Sequence, residues 1–190
     1  MLWPVFALGS AFFAGITAVL AKIGIEKVNS TLATALRTVV ILVFSWLMVF
    51  IVGSQNGIGQ ISGNTLCFLI LSGLSTGASW LCYFKALQLG DVNKVAPIDK
   101  SSNVLTILLA FLLLGEPLSV AKIIGILGIA IGTLLMITKK ETAESRPQNK
   151  TWLVFAVFSA VFASLTSIFG KIGVENVESN LGTAIRTVIV

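Results

Sequence analysis

The sequence predicts an all-α fold, a polytopic bundle of membrane-spanning helices. Of its 190 residues, 56% are hydrophobic and only 11% are charged, whereas soluble domains carry about 25% charged residues. The apolar residues form seven runs, of which six contain roughly 20 residues each and are long enough to cross a hydrocarbon core of about 30 Å. Because backbone groups in lipid must bond within their own segment, each run is expected to be a helix.

The seven runs follow one another with short connections between most of them. They cover residues 3–21, 32–52, 66–87, 95–114, 120–137, 152–169 and 181–190. The first run lacks a preceding basic region and is therefore interpreted as a retained span rather than a signal peptide. The last is too short to cross a bilayer. This predicts either a fragment of a ten-span protein or an intact five-span unit with a vestigial extension.

Composition also excludes several kinds of site. The chain has no histidine, so imidazole catalysis and histidine–metal sites are ruled out, and no cofactor or metal is predicted. Cys67 and Cys82 would lie about 22 Å apart on one helix, too far for a disulfide. The net charge of +5 comes from basic residues at the ends of apolar runs, a pattern typical of membrane flanks and not of nucleic-acid binding.

Lysine and arginine predict the orientation of the spans. They are concentrated after the first, third and fifth spans, with four of them in the segment 138–150. Since basic loops face the cytoplasm, this linker is expected to be cytoplasmic and the N-terminus outside.

A duplication is the most informative feature of the sequence. Residues 3–41 align without gaps to residues 152–190, with 21 identities in 39 positions. The identities include charged residues in register, such as Lys22 with Lys171 and Arg37 with Arg186. The repeat predicts a first domain at 1–138, a charged linker at 139–150 and the start of a second domain at 151–190.

The repeat unit contains five spans, an odd number. A second copy joined to the first must therefore enter the membrane from the opposite side, which produces the inverted repeat of many secondary transporters. The charges support inversion, because Lys27 and Asn29 of the first copy correspond to Asn176 and Glu178 of the second.

Polar side chains follow one face of the third span and one face of the fourth. At helical spacing, the two stripes contain Ser72, Ser75, Thr76, Ser79 and Tyr83 on the third span, and Asp99, Ser102, Asn103 and Thr106 on the fourth. If the stripes face each other, they line a wet cavity that binds substrate, and Trp80 beside Tyr83 is placed to stack on it. Alternatively, the hydroxyls bond to their own or a neighbouring helix, and the aromatic residues mark the membrane interface.

Charged residues inside or near the spans form a second candidate group. Asp99 is expected to pair with Lys85 or Lys100, unless both lysines extend to the interface. Arg37 either binds an anionic substrate group or bonds to loop carbonyls. Glu116 carries a coupling proton or caps the next helix, for which Pro117 would fill the first position; Pro97 is interpreted in the same way in the fourth span.

Glycine pairs indicate close helix packing. Gly73 and Gly77 are four residues apart on the third span, and Gly125, Gly128 and Gly132 lie on the fifth, which is almost free of polar side chains. This spacing lets helix backbones approach each other. The fifth span is therefore expected to pack against another helix, while the first four build the cavity.

The sequence resembles the EamA domain of the drug/metabolite transporter superfamily. The similarity rests on Tyr83-Phe84-Lys85-Ala86-Leu87, on Pro97, on Leu114-Gly115-Glu116-Pro117-Leu118 and on the glycines of the fifth span. It is greatest to the bacterial and archaeal group of small, single-unit EamA proteins. The resemblance implies a ten-helix inverted bundle, as one chain or as an antiparallel dimer, that moves small metabolites or drugs, commonly outward.

We therefore expect a multi-pass secondary transporter in a bacterial or archaeal cell membrane, working by alternating access. The expected partners are the lipid bilayer, a small-molecule substrate, and a second copy or the remainder of the second half. The alternatives are a lipid or lipid-carrier flippase on the same scaffold and a non-transporting fragment. An enzyme is disfavoured, because the chain lacks histidine and its acidic residues other than Asp99 are isolated.

Overall fold

A computed structural model describes residues 3–25, 28–138, 150–175 and 177–190 of the chain. In chain order, the helices are α1 (Trp3–Ile25), α2 (Ser30–Val52), α3 (Gly63–Leu89), α4 (Val92–Lys100), α5 (Ser102–Leu114), α6 (Val120–Thr138), α7 (Thr151–Gly173) and α8 (Ser179–Ile189), with a 3₁₀ segment at Ser54–Gln60. The predicted all-α bundle is confirmed. Most of the predicted linker, residues 139–149, lies outside the described residues.

Five stretches of the described chain are long and apolar enough to cross a bilayer. They are Pro4–Ile25, Ser30–Val52, Gly63–Leu89, Val92–Leu114 and Thr151–Gly173. The apolar segment of α6, Val120–Met136, is shorter. Large apolar side chains such as Phe6 and Leu112 point away from the bundle and are more than two-thirds exposed, as expected for helices whose outer faces meet lipid.

The fourth span differs from its prediction in two ways. It begins at Val92, where the Asp91 side chain accepts a hydrogen bond from the backbone N–H of Asn93, so Pro97 lies inside the helix and not in its first turn. The span is also divided at Ser101 into α4 and α5. The Ser101 hydroxyl bonds to the carbonyl of Ile98 at 2.6 Å, a local bond that competes with the regular helix.

Helix α7 lies at the centre of the bundle. It packs along α3 and also against α4 and α5, while α8 packs between α2 and α3 and α6 lies on α4 and α5. Close approach of α3 and α8 depends on Gly73, because a Cβ atom there would lie 2.7 Å from the carbonyl oxygen of Arg186. Gly77 similarly contacts Val190, so this glycine pair does bring two helices together.

The two copies of the repeat run in opposite directions. Helix α1 ends beside the α3–α4 connection, where the Nζ atom of Lys22 contacts Gly90. Helix α7 begins at the same place, because Trp152 packs on Gly90, and it ends beside Leu69 near the start of α3. Helices α1 and α7 are therefore antiparallel, as an inverted repeat requires.

The same inversion relates α2 and α8. The 3₁₀ segment follows the end of α2, and Gly57 within it lies against Leu181 at the start of α8. Leu181 also shares a buried cluster with Val49 near the end of α2. One repeat copy therefore finishes its second helix at the membrane face where the other begins it.

Equivalent lysines of α1 and α7 fasten opposite ends of the bundle. Lys22 donates hydrogen bonds from Nζ to the carbonyl oxygens of Leu87 at 2.5 Å and Gly90 at 2.7 Å, at the end of α3. Lys171 forms an ion pair with Glu116, which also accepts a 2.8 Å bond from Lys122. Lys22 therefore links α1 to the end of α3, and Lys171 links α7 to the connection between α5 and α6.

Glu116 does not cap α6, contrary to one of its two predicted roles. Helix α6 begins at Val120, and the Ser119 hydroxyl accepts the hydrogen bond from the backbone N–H of Lys122. Pro117 consequently lies in the connection before the helix. Glu116 is instead turned toward two lysines, one of them on α7.

Candidate functional site

A cavity of about 180 Å³ lies inside the bundle, where α1–α5 and α7 meet. Its wall combines small, aromatic, hydroxyl and charged side chains. They are Ala14, Thr17, Ala18, Arg37, Ser79, Trp80, Tyr83, Asp99, Lys100, Ser102 and Ala163. Ionisable groups within spans are costly and mark functional sites in membrane proteins, so this cavity is the candidate substrate site.

The cavity lies where α7 of the second repeat copy meets the first copy, which supplies ten of its eleven wall residues. Ala14 of α1 and Ala163 of α7 occupy the same position of the repeat, and both line the cavity. The two antiparallel helices therefore present the same repeat position to one space. In transporters built from inverted repeats, the substrate site lies at the interface of the repeats.

Asp99 is held by a hydrogen-bond chain that crosses three helices. The Ser159 hydroxyl of α7 donates to Asp99 Oδ1 at 2.5 Å. The Ser79 hydroxyl of α3 donates to the backbone carbonyl of Ser159 at 3.0 Å. Both serines are almost completely buried, so the chain fixes the aspartate side chain relative to α3 and α7.

The second oxygen of Asp99 pairs with Lys100. Its Oδ2 atom lies 3.2 Å from Lys100 Nζ, and the lysine side chain remains 58% exposed. Lys85, the other predicted partner, donates instead to Gln88 Oε1 at 3.1 Å on an exposed surface. Of the two predicted pairs, the structure forms the one with Lys100.

Arg37 lies over aromatic rings. Its Cζ atom is 4.5 Å from the centre of the Trp80 ring and 5.7 Å from that of Phe84. Among the described residues it makes neither an ion pair nor the predicted bond to a loop carbonyl. Stacking uses the faces of the planar guanidinium and leaves its N–H groups, which point outward in the plane, available for ligands.

The two polar stripes do not face each other along their length, because α7 lies between them. On α3, Ser72 donates to the Thr166 carbonyl at 2.9 Å, and Thr76 lies 3.3 Å from the Thr166 hydroxyl. This part of the stripe therefore bonds to a neighbouring helix, the alternative noted from the sequence. Of the residues in the two stripes, those that line the cavity are Ser79 and Tyr83 on α3 and Asp99 and Ser102 on the fourth span.

The remaining predicted site residues lie away from the cavity wall. Ser75 and Thr106 are half-buried and Asn103 is exposed. On α6, a Cβ atom added at Gly125, Gly128 or Gly132 would meet no described atom within 4 Å. Helix α6 packs against α4 and α5, but its glycines do not form that contact.

Sequence reasoning missed the contribution of Ser159 and of α1. Ser159 lies in an apolar run at a repeat position also occupied by serine, Ser10. The recurrence of an isolated serine was the available signal. Its partner Asp99 lies 60 residues earlier, so no local pattern relates the two.

Two comparisons with known proteins place the chain in a family. The profile of the EamA-like transporter family matches residues 1–138. The chain belongs to the EamA-like transporter family. It is also 48% identical over 134 residues to a protein of a Sinorhizobium species described as an uncharacterized transporter in the cobO 3′ region. That similarity covers 70% of this chain and 95% of the relative.

Family membership and the five apolar helices identify the chain as an integral membrane protein of a transporter family. The Sinorhizobium relative is covered almost completely by 134 residues.

Proposed function

We propose that this EamA chain is a secondary transporter that exports a small solute from the cytoplasm by alternating access, with the cavity around Asp99 and Arg37 as its substrate site. The observation that carries the proposal is the position of the cavity between antiparallel α1 and α7, with Ala14 and Ala163 on its wall. A cell membrane is the proposed location, and the outward direction follows the tendency of the family.

Inverted repeats offer a physical route to alternating access. The two copies have related sequences but different conformations, and exchanging those conformations opens the site to the other side. Lys22 and Lys171 support this proposal, since they occupy one repeat position but bind unlike partners at opposite ends of the bundle. The cavity lies between these two fastened ends.

Transport in proteoliposomes tests the proposal. The purified chain would be screened for uptake of amino acids, sugars, nucleosides, organic acids and cationic dyes, with and without a proton gradient. We expect solute flux that depends on the protein. Absence of flux for every class, with the protein correctly inserted, would contradict a transport function for this chain.

Variants of cavity residues test the site. Trp80→Ala removes a ring that supports Arg37, and Asp99→Asn removes the charge that pairs with Lys100. Both are expected to lower flux at least tenfold while membrane insertion is retained. Lys85→Gln is a matched control that also removes a charge, from a lysine that lies outside the cavity. Unchanged flux in both cavity variants would contradict the site assignment.

A further inference from the structure

The ionisable groups around the cavity differ in whether they have a partner of opposite charge. Both oxygens of Asp99 have partners, since Oδ1 accepts from Ser159 at 2.5 Å and Oδ2 lies 3.2 Å from Lys100. The lysine is therefore also paired. Among the described residues, Arg37 has no carboxylate within ion-pair distance and lies over the rings of Trp80 and Phe84.

This arrangement leaves one positive charge in excess at the cavity wall, since Arg37 and Lys100 face a single carboxylate. A basic side chain within a span is costly, and a cation–π contact offsets only part of that cost. A solute with one negative charge would neutralise the site. A dianion would overcompensate, and a cation would add to the excess.

The size and chemistry of the wall restrict the rest of the solute. The cavity of about 180 Å³ is smaller than the roughly 300–1,000 Å³ of pockets that hold drug-sized ligands. Alanines from α1 and α7 and the rings of Trp80 and Tyr83 supply apolar surface. A short aliphatic or single-ring body fits this surface.

We propose that the solute is a small organic monocarboxylate whose carboxylate binds the guanidinium of Arg37 while its body lies against Trp80 and the alanines. The proposal rests on the transport function proposed above. A guanidinium donates two parallel hydrogen bonds to a carboxylate, and stacking on Trp80 already orients that plane.

Equilibrium binding with ligands matched in shape tests the charge preference. Benzoate, benzamide and benzylamine have nearly the same size but carry negative, neutral and positive charge at pH 7. Binding to the purified chain in phosphatidylcholine nanodiscs would be measured by calorimetry, with acetate and butyrate as smaller carboxylates and inorganic phosphate as a non-carboxylate anion. We expect at least one carboxylate to bind about tenfold or more tightly than its amide and amine counterparts, as a charge-assisted bond implies.

Variants identify the residue responsible. Arg37→Gln should abolish the preference for benzoate over benzamide, and Arg37→Lys should retain part of it. Lys85→Gln, which removes an equal charge outside the cavity, should preserve it. Thermal unfolding of each variant would report folding. If Arg37→Gln does not fold, the proposal is still tested by the benzoate preference of the unmodified chain and by its partial loss in Arg37→Lys.

Several results would overturn the proposal. They are equal or tighter binding of benzamide or benzylamine, equal binding of phosphate, binding of no carboxylate in the series, and a preference that survives Arg37→Gln. These results leave the transport proposal intact if neutral or cationic solutes are carried in proteoliposomes. Absence of flux for every solute class contradicts the transport function itself.

Discussion

Helices α1 and α7 have related sequences but opposite environments. Ser159 of α7 is completely buried, whereas its counterpart Ser10 in α1 is exposed. Gly173 lies against Leu69, whereas Gly24 has open space around it. The difference arises because α3, α4 and α5 surround α7, while α1 has neighbours mainly on one side. The same sequence pattern therefore specifies a helix in both copies, but the neighbouring helices determine which of its residues are buried in contacts.

The comparison also explains the polar residues of the bundle. Hydroxyl groups on α3 bond to α7 through Ser159 and Thr166, and Ser159 extends the chain to Asp99. The corresponding hydroxyl of α1, at Thr17, bonds to its own helix through the Phe13 carbonyl and lies on the cavity wall. The polar groups of α7 therefore join neighbouring helices, whereas in α1 Ser10 is exposed and Thr17 bonds within its own helix.

Leucine substitution at the paired glycines should give the largest difference between the two helices. A Cβ atom at Gly173 would lie 3.0 Å from a Leu69 side-chain carbon and 3.2 Å from the Leu69 backbone nitrogen. Gly173→Leu should therefore destabilise the chain by about 3 kcal/mol, since overpacking commonly costs 1–3 kcal/mol and backbone atoms cannot move aside. Gly24→Leu is the matched control and should cost far less. Thermal unfolding in detergent measures both, and equal losses would show that α1 is packed like α7.

Removal of the paired serine hydroxyls should have the next largest effect. Ser159→Ala deletes the donor 2.5 Å from Asp99 and leaves a buried carboxylate oxygen without it, at a cost of about 1.5–3 kcal/mol. Ser10→Ala, at the exposed counterpart, should change the free energy of unfolding by less than about 0.5 kcal/mol. The free energy of unfolding of each variant, measured with denaturant or heat, tests this difference. A neutral Ser159→Ala would mean that this hydroxyl does not hold Asp99.

Substitution of the paired lysines should give a smaller difference in stability. Lys22→Met removes two hydrogen bonds to carbonyls at the end of α3 and should cost about 1–2 kcal/mol, because cations stabilise helix C-termini. Lys171→Met breaks an ion pair whose lysine is 57% exposed, which is worth about 0–1 kcal/mol. The Lys171 effect should shrink more in high salt than the Lys22 effect, because exposed ion pairs are screened more strongly than part-buried bonds. The reverse salt dependence would contradict the assigned roles.

The smallest expected effect concerns the helix caps that the repeat places at equivalent positions. Asn29 caps α2 by accepting from Thr31, and Glu178 caps α8 by accepting from Asn180. Bonds from backbone N–H groups, chiefly that of Asn180, lower the pKa of Glu178 below its usual value. The stabilisation by Glu178 is therefore complete above the unfolded-state pKa of about 4.3. It is lost as the pH falls through the folded-state pKa.

Unfolding measured between pH 3 and pH 7 tests the contrast between the caps. Glu178→Gln should remove a small pH-dependent part of the stability of α8. Asn29→Ala should weaken α2 by a similar amount at every pH, because an amide does not titrate. If Glu178→Gln leaves the pH profile unchanged, the carboxylate does not stabilise α8 in its charged form.

Much of the fold follows from the sequence because the relevant signals are local or internal to the chain. Apolar length predicts the helices, and the alignment of 3–41 with 152–190 predicts the inverted arrangement that α1 and α7 adopt. Helix ends are also set locally, but the start at Val92 was missed because Asp91 acts as a cap within a connection interpreted as a loop. The division at Ser101 depends on one side-chain bond that composition does not reveal.

The candidate site was only partly predictable because neighbouring helices determine it. The stripe on α3 indicated a polar face, but not that α7 would bond to Ser72 and Thr76. Glu116 resembled a cap in sequence, yet its partner Lys171 lies 55 residues later. Residues whose partners are distant in sequence require the tertiary arrangement to be known before their role can be assigned.

Labelling of single cysteines at Asn29 and Glu178 from the two sides of the membrane tests the inverted arrangement most directly. Both residues are exposed caps at equivalent positions of the repeat. Each cysteine would be introduced after replacing Cys67 and Cys82 with serine, and labelled with a membrane-impermeant maleimide in oriented vesicles. Opposite threading of α1 and α7 predicts that Asn29→Cys and Glu178→Cys react from opposite sides. Reaction of both from the same side would contradict the inverted repeat and the cavity between its halves.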